Sequence, residues 1–428
     1  MTDSASAASM PFMKKAFARI TIFVFLLYII NFLDRVNIGY AIAGGMFTSL
    51  GIPKSSADTV AGLASAIFFV AYFIPQIFSN LGITRVGVRK IFTVTFTAWG
   101  IITIATGFVS NVPQVYALRF ILGLAEAPFF AGVVLYLSMW FPKKERGAAN
   151  GIFMAAIPIA GIVGSLLAGA IFSAYGASSG WRFLFYYEGI LALVSVAFIW
   201  FLMTDFPKQA KWLSDSEKKT LIDELDKENV EKKGQTDWKK ALKDPDVLKL
   251  TLVYLLGVTS LYGYVIWLPS VLKAFGSLSS STASYLSAIP FIIASISLVL
   301  ISRYSDKTGK RKMVTFAVFA TAFLGLVISA LTLSVSAVVS MIFFVIAAIG
   351  IFSFLPSFWT IPTEFLSGES SASSIGLINA TGNLGGIIGP VMVGFLASTT
   401  GSFLSGVFAM AIFSLVGGIV TLTIKKSR

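Results

Sequence analysis

The stretch ITIFVFLLYIINFLDRVNIGYA, Ile20–Ala41, decides the class of this protein. It is apolar for long enough to cross the ~30 Å hydrocarbon layer of a bilayer, which takes about 20 residues of helix. Its second half nevertheless carries an acid and a base side by side, Asp34 and Arg35. Ionisable groups inside a membrane helix are costly, and where they persist they mark a pathway or a binding site.

Eleven more stretches of this kind follow, near Thr59–Asn80, Ile91–Ser110, Gln114–Ser138, Gly147–Phe172, Phe183–Met203, Leu248–Val271, Thr282–Ser302, Met313–Leu333, Val338–Thr360, Ala372–Ala397 and Phe403–Thr423. The fold class expected is therefore an all-α membrane protein of twelve transmembrane helices. Composition agrees. Of 428 residues, 56% are hydrophobic and 12% charged, against roughly a quarter charged in a soluble domain. The short alternating segments of an outer-membrane barrel are absent.

The basic residues predict an orientation. Of 33 Lys and Arg, 28 fall on alternate connections and the two ends, which places them on one face: Lys14, Lys15 and Arg19 at the start, Arg85, Arg89 and Lys90 after the second span, and so on to Lys425, Lys426 and Arg428. By the positive-inside rule both termini are cytoplasmic, in a bacterial inner membrane. The net charge of +13 is thus topology, spread over short loops, and no nucleic-acid partner is expected. The opening MTDSASAASM is polar and no small-residue cleavage site follows, so the first helix is expected to be uncleaved. With no Cys and no His, disulfides, thiolate ligands and imidazole chemistry are excluded. No metal and no cofactor are expected.

The chain divides at a long charged connection. The expected units are a six-helix bundle over 1–204, a cytoplasmic linker over 205–247 and a second six-helix bundle over 248–428. Lys211–Glu228 in the linker reads as a short helix with Trp212, Leu213, Leu221, Ile222 and Leu225 on one face, lying along the membrane. The bundles echo each other. Gly151, Ala155, Gly161, Gly164 and Gly169 recur 225 residues later as Gly376, Ala380, Gly386, Gly389 and Gly394. TRVGVRK (Thr84–Lys90) recurs as DKTGKRK (Asp306–Lys312), 222 residues on. Such a shift implies parallel repeats about an axis along the membrane normal.

These halves, the charged linker and the D-x-x-G-x-R-[KR] loop resemble the major facilitator superfamily. Asp306, Gly309, Arg311 and Lys312 fit its gating loop motif, whereas Thr84 replaces the acid in the first copy. NFLDRVNIGYA (Asn31–Ala41), RFILGLAEAPFFAGVVLYLSMWFPKKER (Arg119–Arg146), WRFLFYYEGI (Trp181–Ile190) and DFPKQAKWLSDSEK (Asp205–Lys218) are similar to the anion:cation symporter family, in particular its bacterial tartrate- and phthalate-type permeases. The resemblance implies that Arg35 and Arg119 hold a substrate anion and that Asp34 and Glu126 carry protons.

The residues support that reading independently. Arg119 and Glu126 lie seven apart, two helical turns, on one face of the fourth span. The guanidiniums of Arg35 and Arg119 are expected at similar depth, and a planar guanidinium matches a carboxylate in two-point contact. The alternative is a buried Asp34–Arg119 or Arg35–Glu126 ion pair that only pins helices. Tyr72 can face the cavity or be an ordinary buried aromatic. Asn379 and Asn383, at i and i+4, suit either substrate contact or helix–helix hydrogen bonding. Tyr264, with Tyr262 and Trp267 before Pro269, is a candidate wall of the substrate site. Glu364 suits a gate, and Glu188 is expected to pair with Arg182.

No phosphate-binding loop occurs, so the energy source is a gradient. The function expected is import of a small organic anion (a hydroxy, sugar or aromatic acid) by proton symport, by a monomer in the lipid bilayer, with sodium an open substitute for the proton. Exchange or export on the same fold is the alternative. A receptor would need an output domain, and an enzyme would need a nucleophile–base or metal set that the sequence lacks.

Overall fold

The computed structural model describes residues 12–230, 243–365 and 371–425. Among the described residues there are helices and no strands. Eleven of the described helices are long and apolar enough to cross a membrane. One of them, Lys143–Leu202, has 60 residues, about 90 Å at 1.5 Å per residue, three times the hydrocarbon thickness. It folds back on itself at Gly176, whose φ of 72° and ψ of 168° break the helix in a conformation that suits glycine. The ring of Tyr175 stacks on Phe183 with centroids 3.7 Å apart, where a straight helix would separate those residues by about 12 Å. The twelve predicted crossings are thus present. In the order of the chain they are α1 (Met13–Ala43), α2 (Lys54–Val86), α3 (Val88–Thr106), α4 (Val112–Trp140), α5 and α6 (Lys143–Leu202, before and after Gly176), α7 (Pro245–Gly276), α8 (Ser280–Thr308), α9 (Arg311–Thr332), α10 (Ala337–Phe365), α11 (Ser374–Thr400) and α12 (Leu404–Thr423).

Large apolar side chains such as Phe198, Phe201, Leu331 and Ile412 point outward, as befits helices solvated by lipid. The helix ends are capped locally. The Asp244 carboxylate accepts from the backbone N–H of Asp246 and Val247 with Pro245 at the first turn, and Asn111 accepts from Gln114 N–H, which satisfies otherwise orphaned donors.

The repeats read from the sequence make reciprocal contacts. A methyl group on Gly161 of α5 would run into the ring of Phe291 on α8, and one on Gly386 of α11 would run into Phe69 on α2. Gly386 is 225 residues after Gly161, and Phe291 is 222 after Phe69. The same pair of partners therefore closes both seams between the halves. Absence of a side chain lets the helices approach closely.

Among the described residues the seams are sealed on one side only. The face carrying the described ends of the chain and most of the basic residues is termed the basic face. Toward the opposite face, Gly39 of α1 packs on the Ile266 carbonyl of α7, and Gly62 of α2 on the Pro390 carbonyl of α11. Lys273 Nζ of α7 donates to the Ala43 carbonyl at the end of α1 over 2.7 Å, and Ser280 Oγ donates to the same oxygen over 2.9 Å. Toward the basic face the halves part around a cavity.

The linker helix, Asp215–Val230, docks on the amino-terminal half. Trp212 stacks on Trp140 of α4 (5.4 Å, 15°) and Leu221 is fully buried. Glu217 pairs with Lys15 at 2.9 Å and Glu228 with Arg146 at 3.2 Å. Its apolar face is thus directed at protein, in place of the membrane surface expected for it. Residues 231–242 of the linker lie outside the described residues.

Candidate functional site

α1 places four polar side chains within two turns of an apolar helix: Asn31, Asp34, Arg35 and Asn37, all buried. Asn31 and Arg35 stand at i and i+4, and Asp34 and Asn37 at i and i+3, so each pair can touch on the helix surface. Arg35 Nη2 donates to Asn31 Oδ1 at 3.2 Å and to Glu126 Oε2 at 3.4 Å, and Asn31 Nδ2 donates to that same oxygen at 3.0 Å. The Arg35–Glu126 ion pair foreseen as one alternative is therefore formed, with Asn31 as a third member.

A second set lies beside it. Asp34 accepts from Thr103 Oγ1 of α3 on both oxygens, at 2.9 and 3.0 Å. Asn37 Nδ2 donates to Asp34 Oδ1 at 2.9 Å and to Glu188 Oε2 of α6 at 2.7 Å. Glu188 does not pair with Arg182. Arg182 Nη1 instead donates to the carbonyls of Gly107 and Val109, and its guanidinium lies 4.3 Å from the Trp181 ring centre. A surface-facing arginine one turn from the helix start finds the end of α3 closer than a carboxylate buried two turns further in.

Arg35 reaches the cavity between the halves. It is the one charged side chain among the described residues lining that space. Tyr72 stands against it, ring centre 4.7 Å from the guanidinium carbon, at a cation–π distance. Asn379 and Asn383 of α11 line the same cavity, with Tyr28, Tyr254 and Tyr262. Asn379 and Phe130 also line an adjoining space that runs toward Arg146 and the basic face.

Two candidates are placed elsewhere. Tyr264 is fully buried within the carboxy-terminal half, donates its hydroxyl to the Phe344 carbonyl at 3.0 Å and stacks on the Phe344 ring. The cavity is lined by Tyr262 instead, because two residues along a helix turn the side chain by about 200°. Arg119 is fully buried and does not line the cavity. The Phe68 ring stands between the two arginines, 4.8 Å from Arg119 and 5.8 Å from Arg35. None of the three Arg119 nitrogens has a hydrogen-bond partner among the described residues. The expectation of two guanidiniums converging on one ligand is thus corrected for this conformation.

Among the loop residues, Gly309 ends α8 at φ 65° and Asp306 is exposed. Arg311 Nη1 donates to the Thr360 carbonyl of α10 at 2.7 Å. The side chains of Thr84 and Glu364 lie outside the described ones. At the loop where Thr84 replaces the acid, Asp205 at the end of α6 accepts from Arg89 N–H at 2.7 Å and caps α3. That gives a structural use to a segment that otherwise matched only by resemblance.

Reading the sequence missed Asn31, Asn37 and Thr103. The signal available for the first two was an amide one turn to either side of a charged pair in a membrane span.

Comparison with known proteins adds identity to this geometry. Residues 24–390 match the family described as Major Facilitator Superfamily. A protein of Agrobacterium vitis named "Putative tartrate transporter" is 40% identical over 418 residues, 97% of this chain and 95% of its own. The quinolone resistance transporter of Acinetobacter baumannii is 35% identical, covering 92% and 91%. The inner membrane transport protein RhmT of Escherichia coli (strain K12) is 33% identical, covering 97% and 95%. Among solved structures, a bacterial homologue of the human lysosomal transporter Spinster, inward-facing and occupied, superposes with a TM-score of 0.74 at 18% identity over 97% of each chain.

Proposed function

Since the chain belongs to the Major Facilitator Superfamily, and so is a membrane transporter and not an enzyme, we propose that it imports a small organic anion by proton symport. The observation that carries the proposal is Arg35, the lone charge on the cavity wall among the described residues, held at 3.4 Å by a carboxylate that can be neutralised. A substrate carboxylate competes with Glu126 for that guanidinium. Protonation of Glu126 removes the competitor, so proton and anion favour each other's binding, and by linkage they do so reciprocally. Arg119 serves as the fixed counter-charge that keeps Asp34 and Glu126 tolerable in a dry interior. Asn379 and Asn383 offer amides to the hydroxyl or second carboxylate of the ligand, and Tyr72 holds Arg35 in place.

The basic face is read as cytoplasmic, in a bacterial inner membrane, which makes this conformation inward-facing. The protein is read as working as a monomer. The substrate class follows the chemistry of the cavity: a carboxylate for Arg35 and hydroxyls for the amides, as in a hydroxy acid such as tartrate, the compound in the name of the relative from Agrobacterium vitis.

The test is uptake of labelled tartrate and other organic acids by proteoliposomes with an imposed pH gradient, interior alkaline. Accumulation that collapses with a protonophore and is lost in Arg35→Ala supports the reading. Accumulation that follows a sodium gradient at equal pH assigns the coupling to sodium. The second reading, export or exchange, is favoured by the aromatic lining of Tyr28, Phe32, Phe69, Tyr254 and Tyr262 and by the relative named for quinolone resistance. Uptake that needs internal anion, whatever the gradient, would establish it.

A further inference from the structure

Glu188 is a membrane-embedded carboxyl that the coupling scheme above leaves unused. It is 3% exposed. Asn37 Nδ2 donates to its Oε2 at 2.7 Å, and its Oε1 has no partner among the described residues. Among the described residues no basic side chain lies against it. The groups that face it are Asp34, Asn37 and Tyr40 on α1. Tyr40 is engaged with Ser165 of α5 at 2.7 Å. On α3 the nearest polar group of the cluster is Thr103, which is given to Asp34. On α4, Glu126 pairs with Arg35 and no nitrogen of Arg119 bonds Glu188, whereas the acid tied to Glu188 through the Asn37 amide is Asp34, of like sign. Arg182 on its own helix is turned to the carbonyls at the end of α3.

The charges of the cluster do not balance unless one acid is neutral. Arg35 and Arg119 supply two positive charges, and Asp34, Glu126 and Glu188 supply three negative ones. An uncompensated charge in a dry interior is strongly disfavoured. Of the three acids, Glu126 has an arginine in contact and Asp34 has both oxygens hydrogen-bonded, by Thr103 and Asn37. Among the described residues Glu188 has no opposite charge in contact and one oxygen unbonded, so the proton belongs there. The single amide of Asn37 clamps Asp34 and Glu188 together, two carboxyls that cannot both be ionised at that separation without mutual repulsion.

We propose that Glu188 is a third proton-carrying carboxyl of this transporter: it holds a proton while Asn37 ties it to Asp34, and gives it up when movement of α1 against α6 breaks that clamp. Glu188 bonds Asn37, which lies three residues past Asp34 on α1 toward the opposite face, and this places it to load from that side. A carrier with two exchangeable sites, Glu126 and the Asp34–Glu188 pair, moves one proton more per anion than Glu126 alone provides. The inference rests on the proton-symport reading, and its test separates the two.

Two measurements decide it. In lipid-reconstituted protein without substrate, infrared difference spectra across a pH titration report the carbonyl stretch of protonated carboxyls. The wild type should show such a band at neutral pH. Glu188→Gln should lack it, and Glu126→Gln should keep it. A band unchanged in Glu188→Gln overturns the proposal without reference to any substrate. In proteoliposomes with tartrate as the probe, the logarithm of equilibrium accumulation is measured against the pH difference at zero membrane potential. Its slope counts protons per anion, and Glu188→Gln should lower it by one while exchange of tartrate continues. Equal slopes in the two proteins overturn Glu188 alone. A wild-type slope of zero refutes proton coupling itself, and Glu188 as a carrier with it. If Glu188→Gln fails to exchange, Glu188→Asp, which keeps a titratable group, should restore exchange and the wild-type slope. Failure of both variants marks a packing role and overturns the proposal.

Discussion

Replacing Glu126 by Gln keeps the shape of the site and removes the charge that holds Arg35. In the structure that charge makes one ion-paired hydrogen bond of 3.4 Å, with Asn31 on the same oxygen. A hydrogen bond to a charged group contributes about 1.5–3 kcal/mol net, and each 1.4 kcal/mol is a factor of ten in affinity. At a pH where Glu126 is ionised, an incoming carboxylate must displace that bond. Glu126→Gln should then bind the anion roughly 10- to 150-fold more tightly than the wild type, by the same estimate. At a pH low enough to protonate Glu126 the two proteins should bind alike. Sign follows from linkage: wild-type affinity falls as pH rises through the Glu126 titration, and the variant's does not. Calorimetric or thermal-shift titration with tartrate over a range of pH reads this directly. The variant should also exchange anion, with its pH-driven accumulation lowered by the one proton that Glu126 carries. A variant that binds no more tightly at high pH, and keeps the wild-type pH slope, would refute competition between Glu126 and the anion.

Arg35→Lys retains the charge but loses the two-point fork, so anion affinity should fall several-fold in the same titration, whereas wild-type affinity would remove Arg35 from the site. Gly39→Val should push α1 off the Ile266 carbonyl and favour opening of the opposite face. A cysteine at the buried Ser280 should then react with an impermeant thiol reagent from that side faster than in the Gly39 background, and an unchanged rate would show that this contact does not hold the seal. The chain has no Cys, so labelling also tests orientation. Cysteine at the exposed Ser55 should react from outside the cell and at the exposed Ser216 should not, the reverse pattern inverting the topology. In the linker, the Ser214 backbone N–H and then the Lys15 ammonium hold Glu217 below the usual carboxylate range. Docking of the linker helix should therefore be intact above the ordinary glutamate range and weaken as pH falls through the lowered value. Proteolysis of the linker that does not change with acidification would contradict it.

The sequence by itself determined what depends on the length and polarity of segments. A run of apolar residues matching the bilayer thickness must be a helix there, because only a helix satisfies its own backbone donors and acceptors. The crossings, the internal repeat and the presence of Asp34, Arg35, Arg119 and Glu126 inside the membrane were legible for that reason. Helical spacing also carried the shared face of Asn379 and Asn383 to the cavity. What depends on contacts between helices was decided only by the tertiary structure. Tyr262 and Tyr264 are indistinguishable by composition, and the packing of α7 on α10 sends one to the cavity and the other to the Phe344 carbonyl. Arg35 and Arg119 look equivalent along the chain, yet the Phe68 ring on a third helix puts one on the cavity wall and buries the other. Glu188 lies six residues from Arg182 and 151 from Asn37. It binds the distant residue because α1 and α6 pack face to face, and which partner a buried charge finds is fixed by that packing, which no local pattern encodes.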